Sequence, residues 1–201
     1  MSADSLFGIL AGIGLAAACG FRVFVPLLVI SAAAFAGRLS LAPGFDWLGG
    51  LPALVALSTA TIMEVIAYYV PWLDHLLDLL VTPVALLAGV LAMAATVTVT
   101  NLPPGLHWLV ILVGGAGSAG LVQGATVLLR LKSTALTGGF GNPVVSTIEL
   151  FGAVTTALLA LAAPLICVGL LVMVCGGIFR LFRRVVFGHL GGGSEAATTK
   201  S

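Results

Sequence analysis

Charge is what this sequence has least of. Eight Lys or Arg and seven Asp or Glu are spread over 201 residues, 7% of the chain. A water-soluble domain carries about a quarter. A surface this poor in charge cannot face water throughout, so most of it must face lipid or other helices. The formal net charge of +1 gives no reason to expect nucleic acid or an acidic substrate as partner. Cysteine is scarce too. Cys19, Cys167 and Cys175 lie in apolar runs without metal-ligand spacing and read as small buried hydrophobes. No Lys or Arg precedes Arg22, so the basic start of a signal peptide is missing. Ala16-Ala17-Ala18-Cys19 faintly resembles a lipoprotein cleavage site, but the apolar run continues past it.

What is abundant is apolar and small. Hydrophobic residues make up 60% of the chain, with a mean hydropathy of +1.23 and 26 glycines. Glycine weakens a soluble helix, but in membrane helices it lets backbones approach. The expected fold is therefore all-α and integral to a membrane.

Six transmembrane helices are expected. The first apolar run, about Leu6 to Ala36, exceeds the roughly 20 residues of one span. Gly20, Arg22 and Pro26 interrupt it, which predicts a broken helix with a re-entrant second half. Residues 37–48 read as an interfacial loop. A second span, about 51–70, carries Glu64 and ends at Pro71. A short amphipathic helix is expected over 72–82, then a third span over 83–100 and a turn at Asn101-Leu-Pro-Pro-Gly105. A Gly-rich fourth span covers 107–130, followed by a Ser/Thr/Gly loop over 131–142. The run from Pro143 to Leu181 would be about 58 Å long as one helix, twice the hydrocarbon core. It must turn, most naturally at Ala162-Ala163-Pro164. Residues 1–184 thus read as one polytopic domain and 185–201 as a flexible polar tail.

An even span count puts both termini on one side. Arg130, Lys132, Arg180, Arg183 and Arg184 then share a face and Arg38 lies opposite, so the positive-inside rule places the termini in the cytoplasm. Two short echoes suggest a 3+3 inverted repeat, as in many transporters. Ser58-Thr-Ala-Thr-Ile-Met-Glu64 echoes Ser146-Thr-Ile-Glu149, and Ser31–Gly37 echoes Ser133–Gly139.

Chemistry is expected where charge meets apolar sequence. Arg22 must find a partner or a wet cavity, unless it snorkels to the headgroups. Glu64 and Glu149 are candidate partners, protonatable groups, or plain interfacial carboxylates. Asn142 is a natural N-cap and Pro143 a natural first helical residue. A helix start there would offer N–H groups to an anion. The expected polar centre is Arg22, Glu64, Asn142, Ser146 and Glu149. Asp74, His75 and Asp78 form a secondary polar cluster that also reads as a solvated face. No metal site is read, because His107 and His189 are remote from that cluster. Gly115-Ala-Gly-Ser-Ala-Gly120 matches a dinucleotide fingerprint, but it lacks a preceding strand and a following acid. No cofactor is expected, and Gly120-x-x-x-Gly124 reads as a packing surface.

On these residues the chain resembles the domain of unknown function 4126 family of bacterial integral membrane proteins. The resemblance rests on Gly20-Phe-Arg22-Val-Phe24-Val-Pro26, and on Glu64 followed by Pro71, Asp74, Asp78 and Thr82-Pro83. It rests also on Ser133-Thr134, Gly138-Gly139-Phe-Gly141-Asn142-Pro143, Ser146 and Glu149. Similar proteins carry a second acid after the counterpart of Glu149 and a charge before the proline at 71. Here Leu150 and Tyr69-Val70 stand there. The resemblance implies a multi-spanning protein of the bacterial inner membrane and no particular activity.

The first functional expectation is a transporter, channel or lipid-handling protein for a small solute, ion or lipid headgroup, assembled as a homo-oligomer, a dimer. The alternatives are a membrane scaffold with a structural Arg–Glu pair and an intramembrane enzyme using Glu64 with Asp74, His75 and Asp78. A wet cavity at Arg22 would favour transport, and a dry, closed pair would favour the scaffold.

Overall fold

The computed structural model describes residues 3–69, 71–97 and 103–191; within these, the side chains of 3–4, 71–80, 175, 178–179 and 181–191 lie outside the description. Seven α-helices and one 3-10 turn follow each other, with no strand among the described residues. They are α1 (Ala3–Cys19), α2 (Phe24–Phe35), α3 (Leu51–Ala67), α4 (Pro71–Thr96), α5 (Pro104–Thr137), α6 (Asn142–Ala162) and α7 (Pro164–Gly191), with the 3-10 turn at Asp46–Gly49 before α3. Residues up to Val168 form one compact unit and those from Gly169 on a second.

The first unit is built around α1, which packs against α4, α5 and α6, while α2 packs against α3 and α6. The C-terminal half of α1 is the core. Leu15, Ala16, Ala17, Ala18 and Cys19 are all buried. Short side chains there let three helices close on a fourth, which larger residues would hold apart. Glycine serves the same end where α4 crosses α5. A methyl group at Gly89 would stand 2.6 Å from Ala119 Cβ and 2.7 Å from Gly115 O.

The outside is apolar. Leu136, Phe140, Ile148 and Phe151 are exposed, Phe140 at 90%. Exposed apolar side chains in this number mark surface that meets lipid or another protein. Two helices, α5 and α6, are by themselves long and apolar enough to cross a membrane, and α1, α2 and α3 are shorter apolar helices.

The predicted break in the first apolar run is present. Helix α1 ends at Cys19 and α2 begins at Phe24, with Pro26 in the first turn of α2, where its missing N–H costs nothing. The break at Ala163, between α6 and α7, also falls where expected.

Three boundaries differ. The amphipathic segment 72–82 and the third span are one helix, α4, which runs through Pro83. In apolar surroundings an open backbone is costlier than one lost helical bond, so the helix continues through the proline. The expected loop at 131–142 is helical as far as Thr137. Thr137 Oγ1 donates to Ser133 O at 2.7 Å, and Gly141 N donates to Thr137 Oγ1 at 2.9 Å, so the hydroxyl is satisfied inside the helix end. Gly138, at φ +63°, then stops the helix in the left-handed conformation. Helix α7 passes through the first residues assigned to the polar tail, and residues 192–201 lie outside the described residues. Both ends of the Ser31/Ser133 echo are helix ends closed by a glycine of positive φ, Gly37 and Gly138.

Gly89→Val should lower stability by about 1–3 kcal/mol through overpacking. Gly124→Ala, where a methyl group meets nothing within 4 Å, should stay within about 0.5 kcal/mol of the native chain. Thermal unfolding in detergent compares the two.

Candidate functional site

The α1–α2 break is placed by its neighbours. Gly20 lies so close to α5 that a methyl group there would come within 2.9 Å of Gln123 N. Phe21 sits against α6 at Gly152, which leaves room for its ring. Gly20 N and Phe21 N close turns on Ala17 O and Ala18 O at 3.0 and 3.1 Å. Arg22 is thereby fixed in the interior, only 2% exposed.

Its guanidinium meets α6 on one side. Nη2 donates to Ser146 O at 2.9 Å and also to Ser146 Oγ, and lies 3.6 Å from Glu149 Oε2. Its Cζ stacks 3.7 Å from the centre of the Tyr68 ring. Nε and Nη1 have no hydrogen-bond acceptor, which leaves them to the negative face of that ring.

Glu149, 3% exposed, is shared by two arginines. Arg130 Nε donates to Oε1 at 2.9 Å and its Nη2 donates to Oε2, the two-pronged geometry that guanidinium and carboxylate prefer. The Arg130 Cζ also lies 4.4 Å from the Tyr68 ring centre. Glu64, 8% exposed, does something else. Its carboxylate accepts from Val23 N at 2.8 Å and Phe24 N at 3.1 Å. No side chain of its own caps α2, so a glutamate from α3 satisfies the N–H groups at its start.

The structure thus unites Arg22, Glu64, Ser146 and Glu149 and adds two members the sequence reading passed over. The sequence places Arg130 at the end of the fourth span, as a charge that sets topology. It is 5% exposed and paired with Glu149, because α5 extends past it. The signal was available: Gly115, Ala119, Val122, Thr126 and Arg130 recur on one buried face of α5. Tyr68 stands one turn beyond Glu64 on the same face of α3. Asn142 is on the buried face of α6, one turn before Ser146, but is the first helical residue and not the cap. Its Oδ1 accepts from Thr134 Oγ1 at 3.3 Å. The side chains of Asp74, His75 and Asp78 lie outside the described residues. Among the described residues no three His, Cys, Asp or Glu side chains converge as a metal site would require.

A groove of about 410 Å³ ends at this centre. It runs between α2, α3 and α4, and Phe24, Met63, Glu64, Tyr68, Val81 and Val84 line it. Met63 and Val84, at its edge, are exposed.

A family model described as a domain of unknown function (DUF4126) matches residues 9–184. The chain belongs to that family. No curated protein and no solved structure matches it. The family description carries no activity, so the site must speak through its chemistry.

Removing one member of the buried network should cost more than removing a pair. Glu149→Gln leaves two arginines without their shared counter-charge and should cost about 3–5 kcal/mol. The double variant Arg130→Met/Glu149→Met should cost clearly less than Glu149→Gln, because Arg130 goes together with its counter-charge and Arg22 keeps Glu64 nearby. A chemical-denaturation series on the three proteins in detergent measures the difference.

Proposed function

We propose that this chain is a polytopic membrane protein that handles a small solute, ion or lipid headgroup, as a transporter, channel or lipid-binding protein. The observation that carries this reading is the groove that leads from an exposed apolar surface to Glu64 and Tyr68, at the edge of a centre with four buried charges. The apolar exterior supports insertion in the membrane, and the exposed Arg180 with Lys132 supports a cytoplasmic placement of the termini. All members of the centre come from one chain, so a dimer, expected from the short spans, is not needed to complete it.

The cost of the arrangement argues for use. Four charges and an interrupted helix are expensive in apolar surroundings. Well-packed apolar residues often replace a buried ion pair with no loss of stability. Holding the bundle together therefore does not by itself account for these residues.

One observation favours a second reading. Arg22, Arg130 and Glu149 are closed off from solvent and mutually paired, the dry arrangement expected of a scaffold. On the solute-handling reading the same closure is the resting state of a site that opens through its groove.

A liposome flux assay over a panel of small anions, cations and labelled lipids separates the two. The native chain should exceed empty liposomes for at least one class, and Arg22→Ala should reduce that flux by about tenfold or more, a loss of one buried charge contact. Native flux equal to that of empty liposomes throughout overturns the transport reading.

A further inference from the structure

The buried centre is balanced, and the balance is one-sided. Arg22 and Arg130 hold two positive charges that no accessible pH removes. Glu64 and Glu149 hold two negative charges that each disappear on taking up one proton. Cys19 and Tyr68 are the other titratable side chains facing the centre among the described residues, and neither can become positive. Helix α4 contributes Val81 and Val84, and its side chains 71–80 lie outside the described residues. An added cation is offset only if the Tyr68 phenol or the Cys19 thiol gives up a proton, and both are weak acids. An added anion is offset by a proton on a glutamate. Net charge is costly in such surroundings, so the composition favours anions accompanied by protons over cations.

Geometry selects the glutamate. Glu149 is gripped by the fork of Arg130 and by Arg22. Glu64 is held by two backbone N–H groups at the start of a 12-residue helix, the way such a helix start holds a bound anion. It also lines the groove, where Glu149 does not. Arg22 precedes Val23 in the chain and brings two buried donors without an acceptor. Tyr68 lines the same groove and carries Arg22 against its ring. The groove wall is almost wholly apolar, and its lining residues Met63 and Val84 are exposed, so its occupant has an apolar chain.

We propose that the groove admits a single-chain amphiphile with an anionic head, that the head replaces Glu64 at the start of α2 beside Arg22, and that Glu64 takes up one proton as it leaves. Anion and proton then enter together and the centre stays neutral. This rests on the solute-handling reading and names its substrate class.

Three probes with heads of fixed charge test it on the full chain in phosphatidylcholine nanodiscs: octanesulfonate, octyltrimethylammonium and sulfate. None carries a titratable proton, so any proton taken up belongs to the protein. Calorimetry in buffers of differing ionisation enthalpy, corrected with empty nanodiscs, should show octanesulfonate binding with uptake of about one proton. Its affinity should rise about tenfold per pH unit of acidification while Glu64 is ionised. Glu64→Gln should still bind octanesulfonate, with no proton uptake and no such pH dependence. Octyltrimethylammonium binding as tightly as octanesulfonate overturns the proposal, and so does a native chain that binds octanesulfonate without a proton. These two results need no variant and stand even if Glu64→Gln does not fold. Sulfate binding as tightly as octanesulfonate overturns the amphiphile as occupant. Flux of cations alone in the liposome assay overturns the proposal but leaves solute handling standing. Proton-coupled octanesulfonate binding without any flux does the reverse for transport.

Discussion

Two arginines shut away from water need two carboxylates, and that requirement organises the bundle. Arg22 comes from a helix break, Arg130 from the C-terminal part of the longest helix, Glu64 from α3 and Glu149 from α6. An uncompensated charge in these surroundings would cost more than the bundle could recover from packing nearby. The four positions therefore cannot shift independently. Tyr68 extends the constraint, because both guanidinium groups lie against its ring.

The two glutamates share a charge and differ in attachment. Glu149 is bound by side chains that are themselves ionised. Glu64 is bound by backbone dipoles at a helix start, and its place is at the edge of the groove. The first attachment is a fixed ion pair, strengthened by dry surroundings. The second is the kind that a competing oxygen anion can satisfy equally well. One centre thus contains a fixed part and an exchangeable part.

Much of this was legible in the chain, and the omissions have specific causes. Arg22, Glu64, Ser146 and Glu149 stood out because charge or a helix break interrupts apolar sequence, and such interruptions are rarely left unpartnered. Arg130 was misread because Ser133, Thr134, Thr137 and three nearby glycines suggested an early loop. Hydroxyl side chains can instead bond within a helix and let it continue, as Thr137 does on Ser133 O. Asn142 was read as a cap from its residue type, yet the cap position is Gly141. Residue preference names the neighbourhood of a helix start to within a residue or so, and the local turn decides the register. Pro83 misled for the opposite reason, since proline breaks helices in water more readily than in apolar surroundings.

The chain order of the network has a consequence for synthesis. Arg22, Glu64, Tyr68 and Arg130 all emerge before Glu149. Until α6 is made, the two arginines have one carboxylate between them, and that one is committed to the start of α2. Until then the centre holds two arginines against one carboxylate and is incomplete. The sixth helix brings Ser146 and Glu149 on one face and closes both deficits at once. The centre can therefore close only after a single glutamate late in the chain has been made.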